Sequence, residues 1–204
     1  MLGVDIIASM RRFLVVGHTA PTDPGFTLDD LPGGAGRLDV LCRCVNSAFL
    51  LSHGLRRDVE LYLVLLGPPS PPVTLKLVGA ELKYLNPDER STAALLAKAL
   101  ELDPGAEWQR STPGIWRADV GLSKVLLALG DAAVLDAGGM PLQETVARVP
   151  PGYVLSDHLP FSAEDEAALT GLPRVSVGPH QYHGHHVIAV VQNWWDRLEV
   201  RVGV

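Results

Sequence analysis

The chain has 204 residues, 47% of them hydrophobic and 20% charged, with a net charge of −6. This length and composition suit one sizeable α/β domain and exclude intrinsic disorder, and no apolar run of 18 or more residues is present to span a membrane as a helix. The acidity argues weakly against a nucleic-acid partner, but only four of the 17 basic residues are lysines. A few arginines gathered in one groove suffice to bind phosphate through their forked guanidinium groups.

Met1 to Ser9 is apolar but has neither a basic leading region nor a cleavage site, so it does not read as a secretory signal. We take residues 1–9 as an N-terminal extension and 10–204 as a single domain. Cys42 and Cys44 lie too close for an ordinary disulfide and have no second pair to complete a zinc site. They read as buried thiols of a reducing, cytoplasmic compartment.

Phe13 to Val16 is a continuous apolar run ending at Gly17-His18, as in a strand buried on both faces. Thr19 to Gly36 follows as a long polar, Pro- and Gly-rich loop, a length that points to function. Its Leu31-Pro-Gly-Gly-Ala-Gly36 end has neither spacing of a nucleotide-binding glycine loop. From Arg37 to His53 the pattern is helical, with Leu38, Leu41, Cys42, Val45, Phe49 and Ser52 on one face and Gly54 as the cap. Arg37, Arg43 and Asn46 project elsewhere, as a grip for a polyanion or as partners of Asp39 on a wet face.

Asp58 to Leu66 reads as a buried strand. Val73–Val78 and Glu81–Leu85 read as a hairpin around Gly79-Ala80, and a helix opens near Asn86 and runs to about Leu102. Glu107 to Gly121 reads as a loop-like link, and Ser123–Leu129 as a short helix. A rhythm then sets in: strand Ala132–Asp136 and helix Leu142–Val149, strand Tyr153–Leu155 and helix Ser162–Leu169, strand Arg174–Val177 and helix His185 to about Leu198. Three consecutive parallel βα units bring three loops together at the carboxyl edge of the sheet, where a small-molecule pocket is expected.

Several chemistries are conceivable at that edge. His180, His183, His185 and His186 cluster, but no separated second ligand pair completes a zinc site, and His18, His53 and His158 are distant and unpatterned. No metal is therefore assigned. Ser156-Asp157-His158 cannot converge as a triad from adjacent positions, and no nucleophile elbow exists.

Several segments carry a more specific likeness: Arg12-Phe-Leu-Val-Val-Gly-His18, Asp30 to Ala48, Leu66-Gly-Pro-Pro69, Asn86-Pro-Asp-Glu-Arg90, Val154-Leu-Ser-Asp-His158 and Val175-Ser-Val-Gly-Pro179. Together they resemble the archaeal tRNA (pseudouridine(54)-N1)-methyltransferase family of the SPOUT superfamily. The likeness spans residues 11–199. It implies a SPOUT-type parallel sheet flanked by helices, with a deep trefoil knot over about 131–204. It implies S-adenosyl-L-methionine as cofactor, a homodimer joined through the knot, and methyl transfer to N1 of pseudouridine in the tRNA T-loop.

Carried over by position, the resemblance implies cofactor contacts at Leu135, Leu155, Ser156, Asp157, Ser176, Val177, Gly178 and Val187. Ser156 stands where the family commonly has glycine, and Val187 where it often has cysteine. Arg37, Arg43 and Asn46 are candidate RNA contacts; Asp157 is a candidate base, and Arg37 a candidate anion stabiliser. The alternatives are an rRNA pseudouridine N1-methyltransferase and a SPOUT-fold RNA-binding module without turnover. A zinc-binding structural protein is a further rival.

Overall fold

The apolar run after Arg11 forms the central strand of the molecule. In the computed structural model, residues 10–145 and 150–202 are described, with side chains through residue 198. Strand β1 (Arg11–Gly17) is flanked on one side by β4 (Val59–Leu65) and on the other by β9 (Gly152–Ser156), all parallel. Side chains alternate across a strand, so β1 feeds two cores. Phe13 and Val15 enter one with α2 (Leu38–Phe49), α3 (Glu89–Leu100) and α6 (Gly184–Val202), whereas Leu14 and Val16 enter the other with α4 (Leu122–Leu129).

Among the described residues the sheet has eight strands in the order β10-β8-β9-β1-β4-β5-β7-β6. Its parallel half is completed by β8 (Ala132–Pro141) and β10 (Arg174–Ser176). Its antiparallel half is β5 (Val73–Val78), β7 (Ile115–Ala118) and β6 (Gln109–Arg110). The remaining elements are α1 (Leu31–Gly34), a small hairpin of β2 (Leu50–Leu51) and β3 (Gly54–Leu55), a 3₁₀ turn at Leu142–Thr145, and α5 (Ala163–Ala168).

Three expectations are corrected. The hairpin partner of β5 is not Glu81–Leu85 but β7, which lies in the segment expected to be a loop. Residues after Val78 instead turn back, with the Glu81 and Leu82 N–H groups both donating to the Val78 carbonyl, and Leu82 is buried. The helix expected to reach His53 stops at Phe49, because Leu50–Leu51 pairs with Gly54–Leu55 around a turn. The first βα unit does not stop its strand at Asp136. The register along β10 jumps from Val134 to Met140 between Arg174 and Val175, so residues 135–139 bulge out. Gly139 is required at this close crossing, since a Cβ there would stand 2.6 Å from the Val175 nitrogen. Of the helix expected over Leu142–Val149, only the 3₁₀ turn is seen; residues 146–149 lie outside the described residues, as does the extension 1–9.

The loop from Thr19 to Gly36 holds the short helix α1, capped by Asp30, whose side chain accepts from the Gly33 N–H at 2.9 Å. Its neck is closed by the Thr19 hydroxyl donating to the Gly36 carbonyl at 2.7 Å. No described helix is long and apolar enough to cross a membrane.

Candidate functional site

The parallel strands β1, β9 and β10 end on one edge, and the bulge within β8 together with the loops that follow β9 and β10 surrounds a cavity of about 580 Å³. Leu135, Leu155, Ser156, Asp157, Ser176, Val177, Gly178 and Val187 all line it. Each loop is braced by its own side chains. Asp136 accepts from the Gly138 N–H at 2.8 Å. The Ser156 hydroxyl donates to the Leu159 carbonyl, and the Ser176 hydroxyl donates to the Gly178 carbonyl at 2.7 Å. Such side-chain-to-backbone bonds fix turns that have no ladder partners. The serine at position 156 therefore adds a brace that glycine cannot supply.

Asp157 is only 1% exposed, and donors surround it. Its Oδ1 accepts from the Leu159 N–H at 2.9 Å and lies 3.0 Å from His18 Nδ1, while its Oδ2 accepts from the His18 N–H at 2.9 Å. His18 Nε2 lies 2.9 Å from Asp165 Oδ2, in the capping box that starts α5. Burial lowers the affinity of His18 for a proton, but the bonds to Asp165 and Asp157 outweigh it and hold its pKa above the ordinary value. Burial raises the Asp165 pKa, and the bonds from Ser162 and His18 more than reverse this.

The sequence reading set His18 aside as unpatterned; the fold brings it to the site. The signal was its place at the carboxyl end of the strand beside β9, which is visible only once strand order is known. Arg174 was likewise missed. Its guanidinium joins Asp136 at 2.5 Å and also grips Glu166, both on the cavity wall.

Arg37 and Arg43 converge on Asp39, which is 3% exposed. Burial alone would raise the Asp39 pKa, and the two guanidinium groups hold it below the usual carboxylate range. Arg37 chelates Asp39 at 3.0 and 3.2 Å and is 40% exposed. It takes a left-handed φ of 62° at the start of α2. Arg43 bridges onward to Glu89 at 3.0 Å, and Asn46 accepts from Thr92 at 3.0 Å, so both are tied to α3.

At the start of α6, His183 stacks on His185, and His186 meets the former edge-on and the latter at a tilt. Burial, followed by the charges of His186 and Arg43, pushes the pKa of His185 down to about 4. Among the described residues no group of three or more His, Cys, Asp or Glu is placed to hold a metal ion.

Comparison with known proteins places this architecture. The chain is 47% identical over 192 residues to the tRNA (pseudouridine(54)-N(1))-methyltransferase of Methanocorpusculum labreanum, covering 92% of this chain and 97% of that protein. It is 46% identical over 195 residues to the protein of the same name from Haloferax volcanii, covering 92% and 96%. Its fold is similar to the crystal structure of Archaeoglobus fulgidus Nep1 bound to S-adenosylhomocysteine, with a TM-score of 0.64 at 16% identity over 93% of this chain and 99% of that one. The model of a family described as SAM-dependent RNA methyltransferase matches residues 10–200. With nearly the whole chain matched by that model and by full-length relatives, the chain belongs to this RNA methyltransferase family.

Proposed function

We propose that this protein is an enzyme that uses S-adenosyl-L-methionine to methylate N1 of pseudouridine in the tRNA T-loop, at position 54. The observation that carries this reading is identity of 47% to a relative of that name along almost the full length of both chains. The site is compatible with it. A cavity of about 580 Å³ is in the range that encloses a small cofactor, roughly 300–1,000 Å³. Leu135, Leu155, Val177 and Val187 would offer apolar surface to a purine, and the turned backbone of Ser156, Asp157, Ser176 and Gly178 would offer hydrogen-bonding groups to its edge.

When bound, the cofactor supplies a methyl group made electrophilic by its sulfonium. What remains for the protein is to exclude water and to hold the N1 nucleophile in line. A base stacked inside folded tRNA must first be extruded. Asp157 was a candidate base, but its oxygens already accept from Leu159 and His18, so we assign it to holding the second loop. Arg37 is the more exposed of the two arginines on Asp39, and we assign it to a phosphate or to the developing anion. Arg43 and Asn46 are given the supporting role of fixing the start of α2 against α3.

We extend the reading to a single domain over 10–204, a trefoil knot within about 131–204, a homodimer through that region and a cytoplasmic location. Support for the knot is the order β10-β8-β9, which returns the chain past its own earlier strand, together with the likeness to the Nep1 fold. Support for a dimer is Val190 on α6, 42% exposed and beside half-buried Trp194. Light scattering on the purified protein should give twice the monomer mass.

The function itself is tested with tRNA transcripts carrying pseudouridine or uridine at position 54 and with rRNA fragments carrying pseudouridine. Mass spectrometry of the digested nucleosides should find N1-methylpseudouridine only in the first. Equal methylation of the uridine transcript, or methylation of rRNA alone, would remove the assignment.

A further inference from the structure

His18 enters the site through strand pairing. Val16 pairs with Ser156, the Asp157 N–H donates to the Val16 carbonyl at 3.0 Å, and the His18 N–H returns a bond to the Asp157 carboxylate at 2.9 Å. The imidazole is 12% exposed and reaches two carboxylates, Asp157 through Nδ1 at 3.0 Å and Asp165 through Nε2 at 2.9 Å. An ionised carboxylate can only accept, so a ring that bonds to two ionised carboxylates carries hydrogen on both nitrogens, as an imidazolium. Each carboxylate also accepts from other donors. Asp165 Oδ2 also accepts from the Ser162 N–H at 2.8 Å and from its hydroxyl at 2.7 Å, and Asp157 Oδ1 accepts from the Leu159 N–H at 2.9 Å.

The result is a cationic bracket with one end on the loop after β9 and the other on the first turn of α5. It also stands one residue before the neck of the Thr19–Gly36 loop. A neutral imidazole donates from one nitrogen only and presents a lone pair to the other carboxylate. The bracket would then open on one side, and the loop carrying Leu155 and Ser156 would lose its anchor.

We propose that His18, as an imidazolium shared by Asp157 and Asp165, is a positioning residue that holds the second cofactor loop in its binding form. The proposal rests on the cofactor reading given above. The charged and titratable groups facing the bracket are Asp157 and His158 from the loop after β9, Asp165 from α5, and, from α2 and its start, the buried Cys44 thiol and Arg37, both of which interact with Asp157.

The test is calorimetric titration with S-adenosylhomocysteine from pH 6 to pH 9, using the full chain and its His18→Gln and Asp165→Asn variants. It is joined by nitrogen-15 NMR of the wild-type His18 ring. The wild type should weaken about tenfold across this range as the ring loses its proton, and both variants should bind about tenfold more weakly at pH 6 with a flattened profile. Steady-state assays should show the loss in KM for S-adenosylmethionine rather than in kcat. The ring should carry two protons at pH 6.5. A ring neutral at pH 6.5, or folded variants with the wild-type affinity and profile, overturns the proposal. If the glutamine variant does not fold, the NMR result and the asparagine variant decide alone. Wild-type protein that binds no S-adenosylhomocysteine at any pH overturns the cofactor reading and the proposal with it, whereas tight wild-type binding with unaffected variants overturns the role of His18 alone.

Discussion

Arg11 begins β1 with a side chain only 1% exposed, so a permanent charge sits at the base of the core. It is tolerated because Gln192 and Asp196 of α6 accept from it at 2.7 and 2.8 Å, and Asp58 lies at 3.3 Å. Removing one partner of a buried pair costs about 3–5 kcal/mol. Asp196 is 39% exposed and keeps Arg56 at 2.6 Å, which reduces the loss. We expect Arg11→Met to lower stability by about 2–3 kcal/mol, read from urea melts with an unchanged slope.

The ionisable residues also set the pH dependence of stability. The folded pKa of Asp196 is depressed; burial opposes this, but the bonds from Arg56 and Arg11 prevail. Asp196, Asp165 and Asp39 thus contribute stability above their unfolded pKa of about 3.9, and it is lost as pH falls through their lower folded values. His18 has the opposite sign. Its folded pKa is raised, so its contribution is full below about 6.5 and is lost as pH rises through the folded value. Melting temperature should therefore decline as pH rises above about 6.5, and His18→Gln should flatten that limb while leaving the acid limb in place.

Elements were legible where a single local cause sets them. The apolar run Phe13–Val16, the helix expected from Ser162 and the strand expected from Arg174 each arise from neighbouring residues, and each stands close to where it was expected. Strand pairing is a tertiary choice, and that is where the reading failed. Glu81–Leu85 could not be distinguished from β7 as the partner of β5, because nothing in either segment encodes which edge it meets. The end of α2 failed similarly, since Leu50 and Leu51 continue the apolar period yet leave the helix to pair with Gly54–Leu55. The three-loop cavity was legible because parallel βα order alone brings the loops together. The His18 bracket was not, because it depends on β1 lying next to β9.

The neck of the Thr19–Gly36 loop gives the sharpest prediction at this scale. Gly36 has a φ of 52°, and a Cβ there would lie 1.8 Å from the Thr19 carbonyl oxygen. Backbone must move to admit one, which adds to the cost of a left-handed conformation, about 1–3 kcal/mol. Gly36→Ala should therefore cost at least ~2 kcal/mol or open the neck, lowering the melting temperature by several degrees. Gly54→Ala, with nothing near its Cβ position, should change it little.

Over the whole molecule, charge pairing constrains how RNA can be held. The net charge is −6, and the arginines around the site are already engaged: Arg37 and Arg43 with Asp39, Arg90 with Asp29, Arg174 with Asp136 and Glu166. A guanidinium that pairs with carboxylate retains donors but little uncompensated charge, so few phosphate counterions are released when RNA docks. The acidic residues Asp23 and Asp30 on the Thr19–Gly36 loop add repulsion toward a phosphate backbone. Recognition should therefore lean on base contacts and shape more than on the phosphates. Measured by filter binding, log affinity for substrate tRNA against log salt should have a slope shallower than about −3. Asp39→Asn, by freeing Arg37 while Arg43 keeps Glu89, should steepen that slope while weakening discrimination between tRNA with and without pseudouridine. A wild-type slope near −6 would instead mean that the paired arginines exchange their carboxylates for phosphates on binding.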